Sequence, residues 1–364
     1  KGFEIHGIFS SKLSYGYGSR YIKRKYIHQN AVEIEDYYLF IKSVLQKERY
    51  VSIIPMRDSA AEVMCKYRDD LLQYTAYVMP DADGFERGFD KQRLMEVCKM
   101  HGYPHPETYI VRNGSLCGLD IEEIRYPVLI KPNHTFGARG MTLCRNKDEL
   151  EKKYPIIFNQ FGECHLQTYI PEGGHQVEVQ IYINEKQELV QSSVIKKFRW
   201  YPNKGGSSCC NISCKNEKIV DICYKVLKSI GWVGFADFDT IEDPRTGELL
   251  IMEINPRVPA CVKSAFASGI DWADVIVGEY LKKSHKVYQM NREVYLRFLG
   301  VEVLWFLKSE NKWHTKPNWF NFFGKDIFYQ DMSDWTDPMP FIRGTIGNIK
   351  KQLSPEFRKS KAGV

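Results

Sequence analysis

The sequence predicts an α/β protein made of α+β subdomains, and three observations point to this fold class. The 364 residues exceed what one hydrophobic core usually accommodates, so more than one packed unit is expected. Residues 1–88 alternate short apolar runs with helix-like stretches, as a small parallel α/β unit does. From Phe89 the pattern changes, and helical stretches separate β-rich runs and a hairpin. We therefore predict three units: 1–88, 89–288 and a C-terminal extension, 289–364.

The composition is that of a folded cytoplasmic enzyme. Hydrophobic residues make up 43% and charged residues 26%, and ten scattered cysteines are best interpreted as reduced thiols. No apolar run approaches the roughly 20 residues that span a bilayer, and no signal peptide opens the sequence. A net charge of +6 without a dense basic stripe suits anionic small molecules such as ATP and predicts no nucleic-acid partner. A homodimer is compatible with these features.

In the first unit, three apolar runs are predicted strands and two longer stretches are predicted helices. The strands are EIHGIF, VSIIP and TAYVM, and the helices are IEDYYLFIKSVLQKE and AAEVMCKYRDDLLQ. The sequence begins with Lys1 and enters almost directly on what resembles a second strand. We therefore expect a small, truncated Rossmann-like domain that lacks its first strand and helix.

The middle unit reads as helices and strands in a defined order. It contains the helix FDKQRLMEVCKMHG, the extended runs YPHPETYIV and YPVLIKPN, the helix NKDELEKKYPIIFNQF, the strands CHLQTYI, VEVQIYIN and LVQSSVIKKFRW, the helix EKIVDICYKVLKSIG, a hairpin and the helix WADVIVGEYL. The extension after residue 288 is rich in Trp and Phe and ends basic. We predict that its aromatic residues pack on the body of the protein, with contact to a membrane surface or an anionic glycan as the alternative.

The hairpin GFADFD…LLIMEINPR is the strongest chemical signal. Glu253, Asn255 and Arg257 stand at i, i+2 and i+4, so their side chains project to one side of the strand. A turn centred on Arg245 puts Asp237 opposite Glu253, where two carboxylates repel unless a cation lies between them. The pattern predicts a magnesium site formed by Asp237, Glu253 and Asn255, with Mn²⁺ as an alternative ion. A solvent-facing hairpin with scattered charges is the other interpretation.

Further residues are candidates for nucleotide contacts. They are Lys91, Lys131, the loop Phe136, Gly137, Ala138, Arg139 and Gly140, the extended segment Gln167, Thr168, Tyr169 and Ile170, and the pair Gln176 and Glu178. Glycines let backbone N–H groups turn toward a phosphate, and an extended segment can offer backbone groups to adenine. The last pair is one strand period apart and could meet a ribose or a metal-bound water. An ordinary surface turn, a solvated lysine and an edge strand are the alternatives.

Taken together, these pieces resemble the ATP-grasp superfamily in order and rough spacing. The resemblance covers residues 89 to about 285, and NPRVPACVKSAFASGIDWADVIVGEYL in particular is similar to carbamoyl-phosphate-synthase-like carboxylate-amine ligases. It implies that Lys91 and Lys131 contact ATP phosphates, that the backbone of 167–170 contacts adenine, and that Gln176 lies near the ribose. It also implies Asp237, Glu253 and Asn255 on magnesium. Gln167 departs from the pattern, because an acidic residue is common there.

The implied activity is ATP-dependent ligation of a small-molecule carboxylate to an amine through an acyl phosphate. Lys197 and Arg199 are expected to share one strand face and, with Arg257, to hold the carboxylate or the developing oxyanion. Residues 205–208, GGSS, are predicted to close over the acyl phosphate. Activation of bicarbonate, as in carbamoyl-phosphate synthetase, is the enzymatic alternative. A regulatory ATP-binding module without catalysis is the alternative of another class.

Overall fold

The computed structural model of the protein describes residues 2–29, 33–135, 139–201, 207–330 and 336–353. Within these residues, strands form one two-stranded, one four-stranded and one seven-stranded sheet. The largest hydrophobic core lies between one face of the seven-stranded sheet and the helices packed on it. The opposite face is therefore left to carry polar side chains.

The first 88 residues contain less β-structure than the sequence predicts. Strands β1 (Ile5–Phe9) and β2 (Ile22–Ile27) pair in parallel, and β2 was not among the predicted strands. The predicted strands VSIIP and TAYVM are wrong, since they meet only in one parallel bridge, between Ser52 and Ala76. Tyr77, Val78 and Met79 are buried in the core, Ile53 and Ile54 pack against it, and Val51 is exposed. A two-stranded sheet does not establish a Rossmann-like domain, which stays a prediction.

Helices cover more of this region than strands do. A 3₁₀ turn at Tyr15–Gly18 is followed by α1 (Ile34–Leu45), α2 (Asp58–Lys66), α3 (Arg68–Leu71) and α4 (Ala82–Phe89). The two predicted helices are thus present, although the second is split at Tyr67, whose backbone leaves the helical region.

The four-stranded sheet and its two helices follow the prediction closely. The elements are α5 (Lys91–His101), β3 (Thr108–Tyr109), β4 (Val128–Pro132), β5 (Thr142–Cys144), α6 (Lys147–Phe161) and β6 (Cys164–Thr168), with strand order β3-β6-β4-β5. Asp90 caps α5 by accepting the N–H of Arg93, and Gly102 ends the helix at a φ of 70°. The four strands and α6 share a hydrophobic core of their own, whereas Leu94, Met95 and Cys98 of α5 are buried in the main core.

The seven-stranded sheet contains the predicted hairpin. Its strands are β7 (Gln176–Ile183), β8 (Leu189–Tyr201), β9 (Ser207–Cys214), β10 (Gly234–Glu242), β11 (Leu249–Asn255), β12 (Tyr295–Arg297) and β13 (Ile327–Tyr329), in the order β11-β10-β7-β8-β9-β12-β13. The helices α7 (Glu217–Ser229), α8 (Val262–Ala267) and α9 (Trp272–Tyr280) lie between these strands in the sequence.

The C-terminal extension belongs to this sheet. Strand β12 pairs antiparallel with β9, and β13 pairs in parallel with β12, so the predicted boundary at residue 288 divides a single sheet. The remaining helices are α10 (Leu299–Lys308) and α11 (Met339–Leu353). Aromatic side chains of the extension pack on the body as predicted, since Trp305 shares a hydrophobic cluster with Cys209 of β9, and they also pack on one another, as the rings of Phe306 and Trp319 do at 4.2 Å. In the part of the chain that is described, no helix is long and apolar enough to cross a membrane.

A buried ion-pair network joins the extension to β8. Arg199 and Arg297 both contact Glu302 of α10 at 2.7 and 2.6 Å, and all three side chains are fully buried. The Arg199 guanidinium also donates to the Pro317 carbonyl at 2.7 Å. Removing one partner of such a network leaves an uncompensated charge in a region of low dielectric.

We expect Glu302→Gln to lower the free energy of unfolding by about 3 kcal/mol or more, because two buried guanidinium groups lose their shared carboxylate. Urea unfolding followed by circular dichroism measures this loss. Glu310→Gln is the matched control, since Glu310 is exposed two residues beyond α10, and its effect should stay within about 0.5 kcal/mol. Equal stability of both variants would show that the network contributes nothing.

Candidate active site

Two rows of polar side chains cross three neighbouring strands on the open face of the large sheet. In the first row, Glu178 of β7, Asp239 of β10 and Glu253 of β11 lie side by side. In the second row, Gln180, Asp237 and Asn255 occupy the same three strands. Because side chains two residues apart on a strand share a face, both rows point the same way.

This register corrects the predicted pairing of Asp237 with Glu253. Asp237 pairs with Asn255, and Asp239 pairs with Glu253. Glu242 pairs with Leu249, so the turn is centred between Arg245 and Thr246, and this shifts the pairing by one residue. A bulge in β11, opposite the step from Asp239 to Thr240, shifts it by one more. A shift of two residues preserves the face, so the predicted side chains still converge.

Asp239 was missed in the sequence, although it stands two residues after Asp237 and therefore on the same face. Its carboxylate accepts hydrogen bonds from Lys197 at 2.9 Å and from the Asn255 amide at 3.2 Å. Lys197 also contacts Glu178 at 2.6 Å. Although burial opposes its charge, Asp239 and Glu178 hold the pKa of Lys197 well above its usual range.

Asp237 is the carboxylate of this cluster that a bound cation would stabilise most. Its side chain is buried, and its Oδ1 atom has no hydrogen-bond partner among the described residues. Burial, with the charges of Glu178 and Asp239 beside it, raises the pKa of Asp237 well above its usual range. An orphaned carboxylate oxygen among other carboxylates fits a hard divalent cation, which prefers oxygen ligands.

Arg257 sits just beyond β11 and connects this cluster to the first unit. Its Nε atom donates to Asp58 of α2 at 3.0 Å, and its Nη2 atom donates to the Asn255 side chain at 3.3 Å. Burial disfavours its charge, but Asp58, followed by Asp237, raises the pKa of Arg257. Asp58 is 199 residues away in the sequence, and nothing in the local pattern indicates the contact.

The two predicted phosphate-binding lysines approach the cluster from the small sheet and from α5. Lys91, the first residue of α5, lies 3.3 Å from Glu253 and donates to the Thr135 carbonyl at 2.8 Å. Lys131 on β4 is buried and donates to the Gln167 side chain at 2.7 Å. At the Gln167 position an acidic residue is common in the family pattern. The Gln167 amide does not neutralise the charge of Lys131, but it fixes the Lys131 ammonium group by a hydrogen bond.

The glycine-containing loop is described only in part, because Phe136, Gly137 and Ala138 lie outside the described residues. At its base, the Thr135 hydroxyl donates to the Arg139 carbonyl at 3.0 Å. Gly140 has a φ of 74°, and a Cβ atom there would come within 2.9 Å of Phe161 and Pro132. Glycine is therefore required where the loop returns to the sheet.

The extended segment after β6 has fewer free backbone N–H groups for an adenine ring than predicted. The N–H groups of Thr168 and Tyr169 already donate to the carbonyls of Glu107 and Pro127, at 2.8 and 3.0 Å. In the described structure, the N–H of Ile170 donates no hydrogen bond. Gln176 begins β7 beside Lys197 and is half-buried.

The structure contradicts the prediction for Arg199. Its guanidinium is buried against Glu302 and Pro317, where no substrate carboxylate reaches it. The register of β8 and β9 shifts between Lys197 and Arg199, so the expected alternation of side chains is lost. The loop predicted to close over the acyl phosphate, residues 205–208, is shorter than expected, because Ser207 and Ser208 belong to β9. Its Gly205 and Gly206 lie outside the described residues.

A cavity of about 780 Å³ opens beside the carboxylate rows. Its floor contains Glu178, Lys197, Asp237, Asp239 and Arg257. The remaining walls come from both ends of the chain, including Tyr15, Ser19, Phe298 and Asp337. The volume lies within the range of pockets that hold drug-sized organic ligands and far exceeds the needs of bicarbonate or ammonia.

A lysine-bearing small sheet that faces a carboxylate-bearing large sheet places the protein in the ATP-grasp fold class. The biotin carboxylase of Campylobacter jejuni shares this fold, with a TM-score of 0.63, 19% identity, and coverage of 76% of this chain and 66% of that one. The chain belongs to the family described as "Carbamoyl-phosphate synthase L chain, ATP binding domain", whose model matches residues 90–281.

Two relatives show how far the similarity extends. A D-aspartate ligase of Enterococcus faecium is 27% identical over 243 residues, which is 60% of this chain and 58% of the relative. The C-terminal section of the carbamoyl phosphate synthase large chain from Methanopyrus kandleri is 21% identical over 198 residues, or 50% and 35%. The chain thus spans less than two thirds of the length of these curated relatives.

We expect affinity for ATP to fall as the pH rises through about 8. Burial, with Lys91 nearby, lowers the pKa of Lys131 to about 8 in the nucleotide-free protein, so its charge is present below that pH and lost above it. Titration of ATP at several pH values, followed by intrinsic fluorescence, measures this change.

Lys131→Arg is the control for that titration, because arginine keeps its charge over the whole range. Its pH profile should be flatter than that of the unmodified protein. Identical profiles for the two proteins would show that Lys131 does not set the pH dependence.

Proposed function

We propose that the protein is an ADP-forming carboxylate-amine ligase that uses ATP and a divalent cation. One observation carries the proposal: an orphaned, buried carboxylate oxygen of Asp237 lies in two rows of acidic and amide groups at the floor of a cavity large enough for an organic substrate. Family membership supports the nucleotide, and the name of the D-aspartate ligase supports an amino-acid substrate.

The side chains present fit both ATP and the cation. Asp237, Glu253 and Asn255 would hold Mg²⁺, or Mn²⁺ in its place, with Asp239 beside them. The bound cation would supply positive charge for the transferred phosphoryl group. Lys91 and Lys131 would contact the phosphates, and the arginine and glycine of the loop base, Arg139 and Gly140, would lie next to them. The free N–H of Ile170 suits an adenine nitrogen, and Gln176 and Glu178 would face the ribose.

The reaction would proceed in two steps. A carboxylate oxygen attacks the γ-phosphorus, the bond to ADP breaks, and an acyl phosphate forms. The amine nitrogen then attacks the acyl carbon, the carbon–oxygen bond to phosphate breaks, and the nitrogen loses a proton. Lys197 and Arg257 line the cavity floor beside the reacting groups and would stabilise the negative charge of the carboxylate and of the tetrahedral oxyanion.

The alternatives are less well supported. Bicarbonate needs far less space than the cavity provides. A purely regulatory module that binds ATP does not require the whole set of Asp237, Glu253, Asn255 and Arg257, and all four are present. We further infer a cytoplasmic enzyme that acts on small molecules, with a homodimer as a compatible state that sedimentation would test.

We expect Glu253→Gln to lower turnover by orders of magnitude while the fold stays intact, because the lost charge acts on the cation and on the phosphoryl transition state. ADP release at limiting magnesium measures the effect. Glu248→Gln is the matched control: it lies in the same hairpin but is exposed in the turn and outside both rows of polar side chains. Near-normal turnover in the Glu253 variant would remove this residue from the metal site.

We also expect oxygen-18 placed in the substrate carboxylate to appear in the released phosphate. The reason is that the acyl phosphate links the carboxylate oxygen to the γ-phosphorus, and this oxygen leaves with phosphate. Mass spectrometry of the phosphate, in reactions with a panel of carboxylates and amines, measures the transfer. Label in AMP instead would mean adenylate chemistry and would overturn the mechanism.

A further inference from the structure

The cavity wall opposite the β-sheet floor is assembled from three distant segments of the chain. Tyr15 and Ser19 come from the first unit, Phe298 follows β12, and Asp337 precedes α11. This wall lies outside the family match, which ends at residue 281. The family model describes an ATP-binding domain over residues 90–281, so we expect contacts specific to the substrate among segments outside it, such as this wall.

Asp337 is the charged group in this wall. Its carboxylate accepts hydrogen bonds from the Ser19 hydroxyl at 2.6 Å and from the Arg20 backbone N–H at 3.2 Å. Within the described residues, no lysine, arginine or histidine forms an ion pair with it. The Asp337 side chain is partly buried and lines the cavity, and its two hydrogen bonds leave part of its acceptor capacity unused.

Among the described residues that line the cavity, each of the three cations lies within ion-pair distance of a carboxylate of the protein. Lys197 contacts Glu178 and Asp239. Arg257 is paired with Asp58, and Arg297 with Glu302. Asp337 therefore leaves this part of the cavity with an excess of negative charge, which a cationic group on a ligand would offset.

Two aromatic rings stand in the same wall. The rings of Tyr15 and Phe298 meet edge to face at 5.6 Å. Helix α11 holds Tyr15 in place through Gly344, where a Cβ atom would lie only 1.8 Å from the Tyr15 ring. Aromatic faces next to a carboxylate attract ammonium groups, because the ring quadrupole and the charge act in the same direction.

We propose that Asp337, together with Tyr15 and Phe298, forms a subsite for a primary ammonium group of the substrate. The inference rests on the proposed ligase function and narrows it to substrates that are amino acids or diamines. The ammonium group has two sources: the carboxylate donor, as in an amino acid, or a second amino group on the amine acceptor.

Hydroxylamine separates the two sources, because it replaces the amine and traps the acyl phosphate as a hydroxamate. In the first arm, alanine, β-alanine and aspartate are compared with propionate and succinate, which lack the amino group. In the second arm, the best donor is combined with diamines and with monoamines of equal length. The subsite predicts a preference of about tenfold or more in kcat/KM for the ammonium-bearing compound in one of the two arms.

Asp337→Asn should abolish that preference, because the amide keeps the shape and one acceptor but loses the charge. Ser19→Ala should retain it, since this change removes a hydrogen bond and leaves the carboxylate. Asp326→Asn is the matched control; Asp326 is half exposed in the same extension and does not line the cavity. Thermal unfolding of each variant confirms folding.

An unchanged preference in Asp337→Asn, or no preference in the unmodified protein, would overturn the subsite. If no carboxylate gives hydroxamate, the ligase proposal fails. The subsite is then tested separately, by calorimetric titration of the same amino acids and diamines in the presence of MgADP. Binding that is about tenfold weaker in Asp337→Asn supports it. Equal binding, or none to the unmodified protein, rejects it.

Discussion

Mutual repulsion among carboxylates on one face of a β-sheet is the constraint on which the rest of the structure depends. Glu178, Asp239 and Glu253 lie in one row, and buried Asp237 lies in the next. Like charges directly opposite each other destabilise a sheet, and burial increases that cost. The sheet can keep this arrangement only with positive charge nearby, and the surrounding elements are placed to provide it.

The compensating cations come from separate parts of the chain. Lys197 arrives from β8, Lys91 from the first turn of α5, and Arg257 from the end of β11, where it is itself fixed by Asp58. Because Arg257 pairs with Asp58 of the first unit and Lys91 of α5 lies next to Glu253, the electrostatics of the site also help to hold the first unit and α5 against the large sheet. A ligand that changes the charge of the cluster would act on this whole arrangement.

The sequence predicts the structural features that depend on neighbouring residues. It does not predict those that depend on contacts with residues far away in the chain. The hairpin with Glu253 and Asn255, helix α5 with its Asp90 cap, and Lys131 on a buried strand each follow from periodicity or capping. The bulge beside Arg199, which turns that side chain into the core, depends on β9 and α10. Likewise, no local pattern shows that VSIIP forms one bridge and no strand, because its Ile53 and Ile54 pack against a core that residues distant in the sequence build.

Because the large sheet continues into β12 and β13, shortening the protein before these strands would remove part of the sheet. Without residues 295–329, β9 would present an open row of backbone N–H and C=O groups at the edge of the sheet. Such an edge invites pairing with another chain. A shorter protein cut at the end of the family match would therefore be prone to aggregate, although it would still contain every residue proposed to contact the nucleotide.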